Sequence, residues 1–94
     1  MSVAKTILNQ IQAIDPMAMF AWGAKELVNT GNGLKFKSSG MTRWKGQVLV
    51  KYNEGTDLYD IDFFRIRKGA MVVDRKETDV YVEDLVRTID SQVG

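Results

Sequence analysis

The first stretch of the chain has apolar residues at the spacing of an amphipathic helix. Within residues 3–14 the apolar side chains that share one helical face are Val3, Ile7, Ile11 and Ile14. Ser2 can cap the start of this helix. Asp15-Pro16 ends it, because proline lacks an amide donor and disfavours helical backbone in the residue before it.

The middle of the chain alternates between apolar and polar residues, which is the pattern of strands buried on one face. Strands of this kind are predicted over residues 34–39, 47–52 and 58–67. The chain turns at three polar segments that contain glycine: residues 30–33, 54–57 and 68–69. In the first of them, Asn32-Gly33 tolerates the positive φ angles of a type I′ turn.

The register of the hairpin over residues 47–67 follows from its turn. A loop of two or of four residues centred on Gly55-Thr56 places six apolar side chains on one face, and these are Val48, Val50, Tyr52, Tyr59, Ile61 and Phe63. A loop of three or of five residues would mix the two faces. The same register places Lys51 beside Asp60 on the opposite face.

The next turn, Lys68-Gly69, predicts that the strand before it changes its buried face near residues 63–64. It pairs Phe64 with Val73 and Ile66 with Met71, and these residues belong to the face of Asp60 rather than to the apolar face of the hairpin. Two explanations are compatible with this pattern. Either a β-bulge lies near residues 63–64, or the sheet is covered on both faces at that end.

Residues 17–29 are compatible with two structures. The apolar run of residues 17–22 has no clear period, so it fits a buried strand or a second helix. We favour a strand over residues 20–28, because a hairpin signal follows it. Methionine and aromatic side chains at a surface would suit an adaptable protein-binding patch, and ordinary core is the alternative for this run.

The end of the chain predicts a second amphipathic helix, over residues 80–92. Its apolar side chains are Val82, Leu85, Val86 and Ile89, and the acidic residues of its first turn suit the helix dipole. The whole pattern predicts one α+β domain over residues 1–94. In it, an antiparallel sheet of four to five strands, built from hairpins, is flanked by an N-terminal and a C-terminal helix.

The 94 residues include no cysteine and no histidine. Disulfides, thiolate zinc sites and cysteine nucleophiles are therefore excluded, and the commonest general base is missing. We predict a protein that is not an enzyme, with no cofactor, no catalytic residues and no metal site. A magnesium site on Asp60 and Asp62, about 7 Å apart on one side of a strand, is the remaining catalytic hypothesis, and solvent-facing carboxylates are its alternative.

Charge and hydropathy further limit the kinds of partner that we expect. The formal net charge is +1, so no global field selects a polyanion. No apolar run approaches the roughly 20 residues that span a bilayer, and we expect no membrane partner. The polar residues that follow Lys5 do not match a signal peptide, so we expect a cytoplasmic location.

One stretch of the chain, residues 35–51, carries basic residues and no acidic ones. Basic side chains around an exposed aromatic ring can bind single-stranded nucleic acid through phosphate attraction and base stacking. The candidate binding residues are Lys35, Lys37, Arg43, Trp44 and Lys45. A solvated sheet face, whose lysines hinder edge pairing, is the alternative.

Four short motifs carry a resemblance to a known group of proteins. They are WGAK at residues 22–25, GLKFK at 33–37, DLYDIDF at 57–63 and DVYVEDL at 79–85. In this order they resemble short uncharacterised proteins of bacteriophages and other mobile elements. The chain differs at its end, where Thr-Gly-Leu is common in that group and Gln92-Val93-Gly94 stands here. The resemblance implies a phage or prophage origin and transfers no functional residue.

We therefore predict a small interaction protein, an accessory factor of a phage or mobile element, that presents one sheet face to a protein partner. The sequence does not identify this partner or an oligomeric state. The alternative is a nucleic-acid-binding module that uses the basic candidate residues to hold a single strand.

Overall fold

The computed structural model describes residues 2–39 and 44–94. The helices are α1 (Val3–Ile14), α2 (Ala18–Ala21) and α3 (Leu85–Val93), with a 3₁₀ turn at Val82–Asp84. The strands are β1 (Ala24–Asn29), β2 (Gly33–Ser39), β3 (Lys45–Asn53), β4 (Leu58–Arg67) and β5 (Ala70–Val80).

The five strands form one antiparallel sheet in the order β1-β2-β3-β4-β5. Helices α1 and α3 pack on the same face, which we call the helix-side face, and their buried residues join one core cluster with the sheet. The members of this core that are fully buried include Ile7, Ile11, Phe36, Val48, Ile61, Leu85 and Ile89. The predicted α+β fold, with a helix at each end of an antiparallel sheet, is confirmed.

Helix α1 has the predicted bounds and the predicted caps. The Ser2 hydroxyl accepts a hydrogen bond from the Lys5 amide at 3.1 Å, and Asp15 follows the last helical residue. Ile14 is exposed, so the buried stripe of α1 ends one turn earlier than its apolar spacing predicts.

The register of β3 and β4 is the predicted one. Val48 lies opposite Phe63 and Val50 opposite Ile61, on the helix-side face. The connecting loop has four residues, and the φ angle of 58° at Asp57 lets it close. Lys51 lies opposite Asp60 as predicted, whereas its ammonium pairs with Asp62, 3.1 Å away.

A β-bulge in β5 lies opposite Phe63 and Phe64 of β4, where the sequence predicts a change of buried side, and it determines which residues of β5 face each side. Phe63 lies opposite Arg75 and Phe64 opposite Val73, so Asp74 is an extra residue in β5. The bulge is thus the correct one of the two explanations. Phe63 enters the core, while Phe64 lies on the opposite face of the sheet and is 6% exposed there.

Residues 20–28 do not form the single strand that we favoured. Residues 18–21 are helical, and β1 begins only at Ala24. The reason is visible in the buried positions, because Ala18 and Trp22 are four residues apart, which is a helical spacing. Met17 and Phe20 are 60% and 74% exposed, so the apolar run divides between core and surface.

The C-terminal helix begins later than predicted. Val80 is the last residue of β5, where it lies opposite Tyr59, and α3 starts at Leu85. The pairing with β4 keeps Val80 buried as a strand residue, so the helix begins only after the strand has ended. Val82 lies in the 3₁₀ turn and is exposed, so it does not belong to the buried stripe of the helix.

The first hairpin turn differs from the predicted Asn-Gly turn. The positive φ angle belongs to Gly31, at 94°. Gly33 is required for a different reason, because a Cβ atom there would lie 2.0 Å from the carbonyl oxygen of Val50. A close approach between β2 and β3 therefore needs glycine at this position.

We expect Ile61→Ala to lower the free energy of unfolding by about 2–5 kcal/mol, because it removes a fully buried branched side chain. The matched control is Ile66→Ala on the same strand, which should change stability by about 0.5 kcal/mol or less, because Ile66 is 54% exposed. Urea unfolding measures both values. Equal losses would contradict a core that lies on one face only.

Candidate functional site

The face of the sheet away from the helices, which we call the open face, is formed by alternate residues of the five strands. In one row across this face, Lys37 lies between Lys25 on β1 and Gln47 on β3. In the next row, Lys35 lies between Val28 and Leu49. None of the described helices packs on this face, so those of its side chains that neighbouring residues do not bury are available to a partner.

The predicted basic site is divided between the two faces of the sheet. Strand alternation places Lys35, Lys37 and Lys45 on the open face. Trp44 packs against the core on the helix-side face. Arg43 lies outside the described residues. The structure therefore brings the lysines together without the aromatic ring that a stacking site requires.

The ring of Trp44 is partly buried and packs within the protein. It meets Phe63 edge to face, with ring centroids 5.9 Å apart and planes at 85°. Its indole N–H donates a hydrogen bond to Asp74 at 3.0 Å. The ring also covers Gly46, where a Cβ atom would lie 2.5 Å from it. A stacking site needs a substantially exposed Trp44, whereas this indole packs against the core.

Asp74 links this tryptophan to the sheet. Its carboxylate forms an ion pair with Arg65, whose Nε lies 2.6 Å from Oδ2 and whose Nη2 donates to Oδ1 at 2.9 Å. The hydrogen bonds from Arg65 and then from Trp44 hold the pKa of Asp74 below its ordinary value. The sequence does not indicate that Asp74 contacts Arg65 and Trp44, because the bulge determines to which face of the sheet the Asp74 side chain points.

A basic hollow of about 500 Å³ lies at the end of the sheet where β2 ends and β3 begins, and residues of both faces line it. The cationic residues that line it are Lys25, Lys37, Lys45, Arg65 and Arg67, and Glu26 is the only acid among the described lining residues. Glu26 pairs with Lys37 at 2.7 Å, and this hydrogen-bonded ammonium holds the pKa of Glu26 below its ordinary value. No described residue forms an ion pair with Lys25, Lys45 or Arg67.

Exposed apolar side chains adjoin the basic hollow, and we call them the apolar strip. Ile66, Met71 and Val73 are 54%, 53% and 41% exposed, and they surround the buried ring of Phe64. The pairs Phe64–Val73 and Ile66–Met71 are the predicted ones. The exposure of these apolar side chains depends on which face of the sheet the helices cover. The strand pattern of the sequence does not by itself determine the covered face.

The paired carboxylates of β4 are occupied by other contacts. Asp62 is buried and pairs with Lys51, and Asp60 accepts a hydrogen bond from the Asp79 amide at 3.3 Å. Among the described residues, no group of three or more carboxylates is arranged to hold a metal ion. Each of these carboxylates thus has a structural contact within the sheet.

Comparisons with known proteins give no match: no family model, no curated protein and no solved structure resembles the chain significantly. Within the described residues, no helix is long and apolar enough to cross a membrane. The function must therefore be inferred from the two faces of the sheet.

We expect Trp44→Phe to raise the pKa of Asp74 towards its ordinary value, because the variant keeps a ring on Phe63 but removes the indole donor. A lowered folded-state pKa stabilises the protein above the unfolded pKa of about 3.9, and this stabilisation is lost as the pH falls through the folded value. Carbon-detected NMR titration of Asp74 measures the shift.

The variant Trp44→Ala separates this hydrogen bond from packing. It also removes the aromatic pair, so it should destabilise the protein by at least about 0.5–1.5 kcal/mol more than Trp44→Phe at neutral pH. An unchanged titration of Asp74 in Trp44→Phe would show that the indole contributes nothing to its electrostatics.

Proposed function

We propose that this chain is a non-catalytic interaction module that binds a protein partner on the open face of its sheet. One observation carries the proposal: the helices cover one face, while the other keeps Ile66, Met71 and Val73 exposed beside a basic hollow. These apolar side chains have no role in the core, and clustered exposed apolar residues are typical of interaction surfaces.

The edges of the sheet favour binding on the face rather than strand addition. Edge strand β1 is irregular between Lys25 and Val28, where Glu26 has a φ angle of 54°. Edge strand β5 has the bulge at Asp74 and a second irregularity before Val80. Bulges disturb the regular ladder that an added strand would need, so a partner would contact side chains of the open face.

The absence of cysteine and histidine from the sequence supports a role other than catalysis. A cytoplasmic accessory role in a phage or mobile element is part of this proposal, and it is supported by the motif resemblance described above. The partner would then be a protein of the phage or of its host.

Nucleic-acid binding is the second candidate, and the basic hollow is the observation in its favour. The lack of a free stacking ring counts against nucleic-acid binding, because Phe63 and Asp74 already contact the Trp44 ring. Phe64, the aromatic residue described at the centre of the open face, is 6% exposed and offers no open ring. A protein partner therefore fits this face better.

We expect Ile66→Glu to abolish specific capture of a host or phage protein in a lysate pull-down, because it places a charge in the apolar strip. The matched control is Phe20→Glu, at an exposed apolar position of α2, which should leave capture unchanged. Capture should survive nuclease treatment. Capture that is unaffected by Ile66→Glu, or is lost with nuclease, would contradict the proposal.

We expect a labelled poly-dT of about 20 nucleotides to bind no tighter than about 10⁻⁴ M at physiological salt, the weak end of non-specific binding. Fluorescence anisotropy on the oligonucleotide measures this without altering Trp22, which is buried and donates to Asp90 at 3.0 Å. Micromolar affinity that falls steeply with salt would instead favour the nucleic-acid function.

A further inference from the structure

The open face has two halves of different chemistry. Over β1, β2 and β3 it carries the lysines Lys25, Lys35, Lys37 and Lys45, and over the adjoining part of β4 and β5 it carries the apolar strip. Farther along the strands, Lys51 and Lys76 lie opposite Asp60 and Asp62. The described acidic residues of this face are engaged, because Asp62 pairs with Lys51, Glu26 pairs with Lys37 and Asp60 accepts a hydrogen bond from the Asp79 amide. A complementary partner therefore needs carboxylates on one side and apolar side chains on the other.

The cationic half has more positive charge than its own surroundings neutralise. Lys25 lies directly opposite Lys37, and like charges at such positions are unfavourable. Glu26 neutralises only one of the two ammonium groups, and no described residue pairs with Lys25 or Lys45. Added carboxylates would relieve this repulsion, which is a reason to expect an acidic partner rather than a neutral one.

The backbone of the partner must satisfy its own hydrogen bonds. An extended segment lying across the side chains of a sheet face would leave its amide and carbonyl groups without partners, and both edges that could pair with a strand are bulged. A helix satisfies these groups internally. Two strand spacings, from Lys37 on β2 to Phe64 on β4, span about 10 Å, which is about the diameter of a helix.

We infer that the open face binds an acidic amphipathic helix of the partner protein, an inference that rests on the proposed function. The apolar side of this helix contacts Ile66, Met71 and Val73. Its carboxylates reach Lys25, Lys37 and Lys45 across the basic hollow. This arrangement uses both halves of the face at once and leaves the helix-side face unchanged.

The probe is a synthetic helical peptide of about 18 residues with leucines on one side and glutamates along its flank, which is about 27 Å long as a helix. A peptide of the same composition in scrambled order tests amphipathicity, and one with lysine in place of glutamate tests charge. Binding is followed by amide chemical shifts of the isotope-labelled protein. We expect shifts at Lys37, Lys45, Ile66 and Met71 with the acidic amphipathic peptide only.

Charge-reversed variants measure the role of the lysines. Lys37→Glu combined with Lys45→Glu should weaken the peptide complex at least about ten-fold, and the loss should shrink at high salt. The control is Lys5→Glu, which reverses an exposed lysine on α1 and should leave the affinity unchanged. Circular dichroism and thermal unfolding check that the variants are folded.

Several results would overturn the inference. The acidic peptide could cause no chemical-shift changes at millimolar concentration, or changes only at Phe20 and α3. The scrambled or basic peptide could bind as tightly as the acidic one. Poly-dT could bind to the same residues more tightly than the acidic peptide does. If Ile66→Glu abolishes capture from lysate while the acidic peptide fails to bind, the proposed function stands and this inference is wrong. If Ile66→Glu leaves capture intact, both are wrong.

Discussion

One-sided covering of the sheet is the constraint on which the rest of the structure depends. The two longer helices, α1 and α3, supply one layer, and both lie on the helix-side face. Strand alternation then sends every second side chain of β2, β3 and β4 away from that layer. The residues on the open face are therefore determined by the same pattern that builds the core, and they include both the lysines and the apolar strip.

The bulge at Asp74 connects the core to the open face. By adding one residue to β5, it lets Phe63 face Arg75 inside while Phe64 faces Val73 outside. The extra residue also turns its carboxylate towards Arg65 and Trp44, which holds the indole over the edge of the core. The same irregularity thus holds the partly buried ring of Trp44 against the core, exposes aliphatic side chains on the other face and disturbs an edge that could aggregate.

Much of the fold can be predicted from local pattern, and the parts that cannot are those set by distant contacts. The register of β3 and β4 follows from alternation and loop length, because only one pairing buries Val50 and Ile61 together. The helical turn before Trp22 has too few residues to show a hydrophobic period. Its helical conformation is determined instead by the contacts of its buried residues with the core. In the same way, Val80 is kept in β5 by Tyr59, which is far away in sequence.

The candidate site is predictable only in part, for the same physical reason. Alternation places Lys35 and Lys37 on one face, but Lys25 joins them only through pairing between β1 and β2. The environment of Trp44 depends on Asp74, thirty residues later in the chain. Sequence neighbours such as Trp44 and Lys45 point to opposite faces of a strand, so a cluster in sequence becomes two surfaces in the fold.

The like-charged pair of Lys25 and Lys37 bears on whether the open face is a binding surface or only a solvated one. A surface selected for stability alone has no reason to set two ammonium groups opposite each other, because the alternatives cost less. An anionic partner converts the same arrangement into a favourable one, since its carboxylates interact with both groups. The repulsion is small in the protein as it stands because Lys25 and Lys37 are solvated and Glu26 partly neutralises them, so the fold tolerates it and the proposed acidic partner would relieve it.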